Sequence, residues 1–275
     1  MKALIDGDIL LHEIGWSGQF KDKESGEEVL LPFAHVAELL DKKIEGICTD
    51  VLADEPPTIF LSDNEWLAYA EGREFVKGFR YSIAKSKPYK GTRTNPRPFH
   101  FYNILVYLQA TYDCVIATEG LEADDVICRS QYISLGKNEE TIICSRDKDV
   151  RIAPGYHFSW ECGKQRAIGP VYTDIKGGLS KRDDGDTIGY GTAFFYYQML
   201  VGDSADNIPG LPSFGKVKAY NLLSGATTTV EQHTIVKELY KQALGDGAKD
   251  YFLEQANLLW MRYNDEQRYV PPRTN

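Results

Sequence analysis

Apolar residues along the chain fall into two kinds of run. Short uninterrupted stretches, "KALI" at 2–5, "TIFLS" at 58–62, "CVIAT" at 114–118 and "TIICS" at 141–145, predict four buried strands. Between them the spacing changes to that of a helix. Phe33, Val36, Leu40, Ile44, Ile47 and Val51 recur on one face over 33–52, and Pro56 and Pro57 close that segment. A second helix is predicted over 99–111, after Pro96 and Pro98, and a third from the acids at 122–125 to about Leu135. Strands alternating with helices predict an α/β fold: a mostly parallel central sheet flanked by helices and joined by right-handed crossovers. Helical patterns near 230–244 and 248–262 predict a C-terminal cap on that sheet, and the glycine-rich stretch 176–192 reads as a mobile connection.

The polar residues that end the strands share one chemistry. Asp6 and Asp8 follow the first strand, Asp63 the second, Glu122, Asp124 and Asp125 ("GLEADDV") the third, and Asp147 and Asp149 ("SRDKD") the fourth. One aspartate after a strand is ordinarily a turn or cap residue. Four such sets converge on the carboxyl edge of one sheet, where folds of this kind bind ligands. At a helix start, Glu122, Asp124 and Asp125 would lie within about 5–7 Å of one another. Two like charges at 5 Å repel by about 3 kcal/mol at an effective dielectric of about 20. The helix dipole accounts for one or two acids there, not three. No cluster of lysines or histidines adjoins them in sequence, so the expected counter-charge is a hard divalent cation, magnesium or manganese.

A further acidic pair, Asp203 and Asp206, lies in "LVGDSADNIPGLPSFGKVKAYNLL" beside Gly210, Gly215, Lys216 and Lys218. Glycines let a backbone approach a phosphate, and the helix start that follows offers free N–H groups. A helical corner with glycine caps has the same spacing. The net charge of −9, from 31 basic and 40 acidic residues, at first argues against a nucleic-acid partner. Its distribution argues otherwise. Between Arg73 and Arg97 eight basic residues, Lys87, Lys90 and Arg93 among them, face a single acid, Glu74, and alternate with Phe75, Phe79, Tyr81 and Tyr89. A solvated lysine face has that composition; so does a surface that offers charge to phosphates and rings to bases. Five scattered cysteines without a CxxC pair fit neither a zinc nor a disulfide framework and point to a reducing compartment. Asp6 and Asp8 interrupt the N-terminus too early for a signal peptide, and no stretch is long enough to span a membrane.

"GLEADDV", "SRDKD" and "LVGDSADNIPGLPSFGKVKA" resemble the three most recognisable segments of the flap endonuclease / 5′→3′ exonuclease family, with Ser213 where a glycine is usual. "DGD" at 6–8, "FLSDNEW" at 60–66 and "PYKGTR" at 88–93 fit as well, and the "LLWMRYNDEQRYVPP" tail is similar to small bacteriophage exonucleases of this group. The resemblance implies a PIN-like nuclease core over 1–175, carrying the basic arch-like segment 73–98, and a helix-hairpin-helix duplex-binding and C-terminal subdomain over 193–275. It implies two metal ions, one held by Asp6, Asp63, Glu122 and Asp124, the other by Asp147, Asp149, Asp203 and Asp206, with Asp125 assignable to either. Asp8 becomes a supporting or turn residue. Setting the nine ligands aside leaves 31 acids against 31 bases, which removes the objection to DNA.

In the same reading Lys90 and Arg93 contact the scissile phosphate, Tyr89 stacks the terminal base, and Lys87 adds charge beside them. The segment with Gly210, Gly215, Lys216 and Lys218 grips the duplex, with a potassium ion held in the 203–218 hairpin. The implied activity is a monomeric, metal-dependent 5′→3′ exonuclease of duplex DNA with a 5′ end, nick, gap or flap. Flap cleavage and RNA-primer removal from an RNA–DNA hybrid are related activities, in the cytoplasm of a bacterial or phage-infected cell. The alternatives are a catalytically inactive structure-specific DNA-binding protein and a single-strand ribonuclease with a similar acidic site. Larger members of the family carry a long helical arch after the YK-x-x-R segment; here "TNPRP" leads directly to the helix at 99, so an open basic lip is expected.

Overall fold

The structure is a computed structural model and describes residues 1–94, 96–264 and 268–273. The expected "TNPRP" loop and the "WMRYND" tail therefore each extend, at Asn95 and Asp265, outside the described residues. In chain order the elements are β1 (Lys2–Asp6), α1 (Gly7–Ser17), β2 (Gln19–Lys21), β3 (Glu28–Leu30), α2 (Phe33–Asp50), β4 (Glu55–Ser62), α3 (Glu65–Ala70), α4 (Phe79–Ile83) and α5 (Phe101–Thr111). There follow β5 (Asp113–Ala117), α6 (Ala123–Gly136), β6 (Thr141–Cys144), a 3-10 turn (Asp149–Ile152), β7 (Gly155–Ser159) and β8 (Ile168–Thr173). The chain ends with β9 (Gly178–Lys181), β10 (Thr187–Tyr190), α7 (Gly191–Val201), α8 (Lys216–Leu223), α9 (Thr229–Leu244), a 3-10 turn (Gly245–Gly247) and α10 (Ala248–Leu259). Among the described residues no helix is long and apolar enough to cross a membrane.

Met1–Val76, Thr94–Lys148 and Tyr156–Val171 form one compact unit; Lys77–Arg93, Asp149–Gly155 and Tyr172–Asn275 form another. In the first, a six-stranded sheet has the order β5-β4-β1-β6-β7-β8, and its pairings β5-β4, β4-β1, β1-β6 and β6-β7 are parallel. Both neighbours of β1 are strands and both its faces are covered, so Ala3, Leu4 and Ile5 are buried without a polar residue among them. β4 is longer than "TIFLS" because it takes in Pro56 and Pro57, which cost nothing in the first residues of a strand. Helix α1 starts directly on the last residue of β1, with no linker. Gly7 permits this: a Cβ there would lie 2.6 Å from Leu61 Cδ2 and 2.8 Å from the Phe60 carbonyl oxygen.

In the second unit the stretch 176–192 is not a loose connection. It contains the antiparallel pair β9–β10, with Lys181 opposite Thr187 and Gly178 opposite Tyr190. Helix α7 is buried from Gly191 to Leu200, and α8, α9 and α10 pack on it. The two C-terminal helices thus serve α7, whereas a cap on the sheet was expected. Residues 77–93 also belong to this unit rather than to the core assigned from sequence. Arg80 supplies the reason. Its buried guanidinium donates to the Leu258 carbonyl at 2.9 Å and to the Trp260 carbonyl at 3.0 Å, oxygens left over where α10 ends.

Candidate active site

Asp6 ends β1 and caps α1. Its carboxylate accepts from the Ile9 N–H at 3.3 Å and from Ser145 Oγ at 2.7 Å, and the residue is 2% exposed. Burial first, then the charges of Asp8 and Asp147, push its pKa up to about 7, against the downward pull of the two hydrogen bonds. Asp8, in the first turn of α1, accepts from the Ser62 N–H at 3.0 Å. Ser62 Oγ accepts from the Ala123 N–H at 2.9 Å, and Ser145 Oγ from the Asp147 N–H at 2.9 Å. Two serines thus tie the strand ends to the acids. Sequence reasoning passed over both, although the signal was present: each precedes or flanks an acid, in "LSD" and in "CSRD".

The other first-unit acids are held as their positions dictate. Asp63 receives both ends of the Arg73 guanidinium, at 3.0 and 3.2 Å, and raises the pKa of that arginine further. Glu122 caps α6, and Asp125 closes the capping box by accepting from the Glu122 N–H at 3.2 Å. Asp124 lies half-buried in the same first turn. Arginines, which the expectation about lysines and histidines left out, pair with Asp63 here and with Asp206 in the second unit. Among the described residues no group of three or more His, Cys, Asp or Glu side chains is drawn in closely enough to hold a metal ion as it stands. The donor set nevertheless fits a hard cation: every member is a carboxylate, and burial together with the charges of Asp8 and Asp147 raises the pKa of Asp6.

The second unit joins the basic loop to the other acids. Asp206 accepts from Tyr89 Oη at 2.9 Å and from Arg93 at 2.5 Å, while its backbone oxygen receives the Lys90 N–H at 3.0 Å. The Lys90 ammonium stands 5.0 Å from the centre of the Tyr89 ring. Asp203, buried, accepts from the Ala205 N–H at 2.8 Å. Asp149 accepts from Gln198 Nε2 at 2.6 Å. Gln198 was not foreseen. A lone glutamine in the apolar run "FFYYQML" carries no motif, yet it is 1% exposed, and its Oε1 has no hydrogen-bond partner.

Two expectations for DNA contacts need correction. Tyr89 is 4% exposed, packed edge-on against Tyr81 with its hydroxyl engaged by Asp206, so its ring has no open face on which a base could stack. Gly210 is buried and lets the chain meet itself rather than a phosphate. Its φ is +65°, a Cβ would fall 2.3 Å from the Gly202 nitrogen, and its N–H donates to Gln255 Oε1 at 3.0 Å. The remaining positions are open. Gly215 precedes α8 in extended conformation with nothing near its Cβ position, and Lys87, Lys216 and Lys218 are exposed. Lys216 Nζ lies 3.4 Å from Asp186, and Lys218 stands over Phe214 at 4.6 Å.

No protein-family profile matches the chain. Among characterised proteins it is 30% identical over 132 residues to DNA polymerase I of Rhizobium leguminosarum, covering 46% of this chain and 12% of that protein. It is 29% identical over 151 residues to the 5′-3′ exonuclease of Buchnera aphidicola subsp. Schizaphis graminum, covering 54% of this chain and 48% of that protein. The match thus spans about half of the exonuclease and a small part of the polymerase. Among solved structures, T5 5′-exonuclease with divalent metal ions (zinc) bound has the same fold, with a TM-score of 0.55 at 15% identity over 94% of this chain and 89% of that one. The central sheet with flanking helices is therefore the nuclease-type fold that the sequence motifs predicted, and the resemblance to 5′→3′ exonucleases extends from those motifs to the fold.

Proposed function

We propose that the chain is a metal-dependent 5′→3′ exonuclease acting on duplex DNA from a 5′ end, nick, gap or flap. One observation carries this reading: a buried aspartate at the carboxyl end of the central strand, its pKa pushed up to about 7 by burial and by two further aspartates. A protein gains nothing in stability from that arrangement, and perturbed groups of this kind mark functional sites. The similarity to a 5′-3′ exonuclease, and to a fold seen with divalent metal ions, supports the same chemistry.

In this reading Asp6, Asp63, Glu122 and Asp124 would hold one divalent ion, magnesium or manganese, and Asp147, Asp149, Asp203 and Asp206 are the expected ligands of a second, with Asp125 open to either. The chemistry such ions supply is Lewis acidity: activation of water for in-line attack and neutralisation of charge on the phosphate. The chain's own residues do the rest. Ser145 and the Ile9 N–H orient Asp6, Gln198 orients Asp149, and Lys90 and Arg93 bring positive charge to the phosphate. For Arg93 this requires exchanging its Asp206 partner for the substrate.

The test uses 5′- and 3′-labelled duplexes with magnesium. Label released first from the 5′ end, and lost together with cleavage in an Asp147→Asn/Asp149→Asn variant that still binds duplex, is the expected result. Cleavage by that variant at a near wild-type rate would refute the two-metal reading; digestion of single-stranded RNA alone would favour the ribonuclease.

A further inference from the structure

The corner at which α9 turns through Gly245–Gly247 into α10 encloses a cavity of about 410 Å³, wholly within the second unit. Its floor is apolar. Phe252 and Tyr240 line it from within the core, packed edge-on on each other, and Leu253 and Pro271 present the accessible apolar surface. Its rim is cationic. Lys237, Lys241 and Lys249 line it against a single carboxylate, Asp246. Among the described residues none of these three lysines has an ion-pair or hydrogen-bond partner.

Local electrostatics does not explain that rim. Lys237 and Lys241 are four positions apart on α9, where like charges destabilise a helix by a few tenths of a kcal/mol. Lys249 sits in the first turn of α10, at the end of the dipole that repels cations. Only Lys241, in the last turn of α9, is placed where a helix favours it. An anion in the cavity would reverse both costs. The volume lies within the range of small-molecule sites, about 300–1,000 Å³. A bare anion would leave the apolar floor unused. An acidic peptide would need a groove running along the helices, whereas this cavity sits in a corner at the helical turn.

We propose that this corner binds a nucleotide, its phosphate among Lys237, Lys241 and Lys249 and its base against the more open apolar lining of Leu253 and Pro271. The ligand could be a free mononucleotide or the terminal nucleotide of a strand. The inference stands on the cavity alone and does not depend on the nuclease reading.

Isothermal titration of the full chain in EDTA tests it, with 2′-deoxyadenosine 5′-monophosphate, inorganic phosphate and a 5′-phosphorylated oligodeoxynucleotide as probes. Saturable binding of the mononucleotide with a Kd of about 1 mM or tighter is expected. A Lys237→Ala/Lys241→Ala variant, shown by circular dichroism to be folded, should weaken it by about tenfold or more, as loss of two charge-assisted contacts requires. A Lys23→Ala variant, an exposed lysine outside this corner, should leave it unchanged, which separates these lysines from a general loss of positive charge. Pocket-dependent binding of the oligonucleotide at higher affinity identifies a strand end as the ligand; binding of the mononucleotide alone identifies a free nucleotide. Phosphate binding as tight as the mononucleotide, mononucleotide affinity unchanged in the lysine variant, or no saturation at all would each overturn the proposal.

Discussion

Asp6 bears an electrostatic cost that is measurable without any assay of activity. Its pKa is about 7 in the folded protein against 3.8 for an ordinary aspartate, so between those values the folded state holds more protons than the unfolded one. Stability must therefore fall as pH rises from about 4 to about 7. In EDTA, the melting temperature should drop over that window, and Asp6→Asn should flatten the drop. A wild-type curve that rises across the same window would contradict the clustering of Asp6, Asp8 and Asp147. Ser213 offers a second test. It stands where the motif it resembles usually has glycine, and its φ is +60°. A left-handed residue with a Cβ costs roughly 1–2 kcal/mol, and the added freedom of glycine in the unfolded chain returns about 0.4–1 of that. Ser213→Gly should stabilise the protein by about 0.5–1 kcal/mol in urea titration; destabilisation would mean that the hydroxyl does more than its backbone angle suggests. Asp6 was legible from sequence because a charge after an apolar run is conspicuous. Gln198, Ser62 and Ser145 were not, because neutral polar residues beside such runs are common.

At the scale of elements, the proposed function assigns duplex binding to α8 and the chemistry to the basic loop. Gly215 leaves the start of α8 uncovered, with Lys216 and Lys218 exposed on its first turn. Replacing both lysines with alanine should weaken duplex binding and reduce the salt slope by about 2 units, at roughly 0.9 per lost phosphate contact. Lys90→Ala should instead lower the single-turnover rate with a smaller change in affinity. The opposite pattern would exchange the two roles. The strands β1, β4, β5 and β6 were readable because buried parallel strands are uninterrupted apolar runs with a polar stop. Helix α7 was not, since "TAFFYYQMLV" is buried on every side and has no polar face to show a helical period. The β9–β10 hairpin was hidden among its glycines. The "DG" at 184–185 between Lys181 and Thr187 was the available sign, a dipeptide that favours tight hairpin turns.

For the molecule as a whole, the question is how a strand reaches the acids. Among the described residues between Glu71 and His100 the longest helix is α4, five residues. That is too little to build the paired helices of a closed arch. A 5′ flap blocked with a bulky protein tag should therefore still be cut in single-turnover assays; a loss beyond about tenfold, or about 1.4 kcal/mol in the barrier, would show that threading is required. The anchoring of Arg80 has a further consequence, in the time it takes to make the protein. The carbonyl of Leu258 lies 178 positions further along the chain than the arginine that needs it. At about 5–20 residues per second, a ribosome takes roughly 10–40 s to cover that distance. Throughout that interval Arg80 is synthesised without the Leu258 and Trp260 carbonyls that receive it, while the strands that lead to Asp6, Asp63 and Asp147 are already complete. The seat of that guanidinium is thus completed only after the whole of α10 has been made, long after the strands of the first unit.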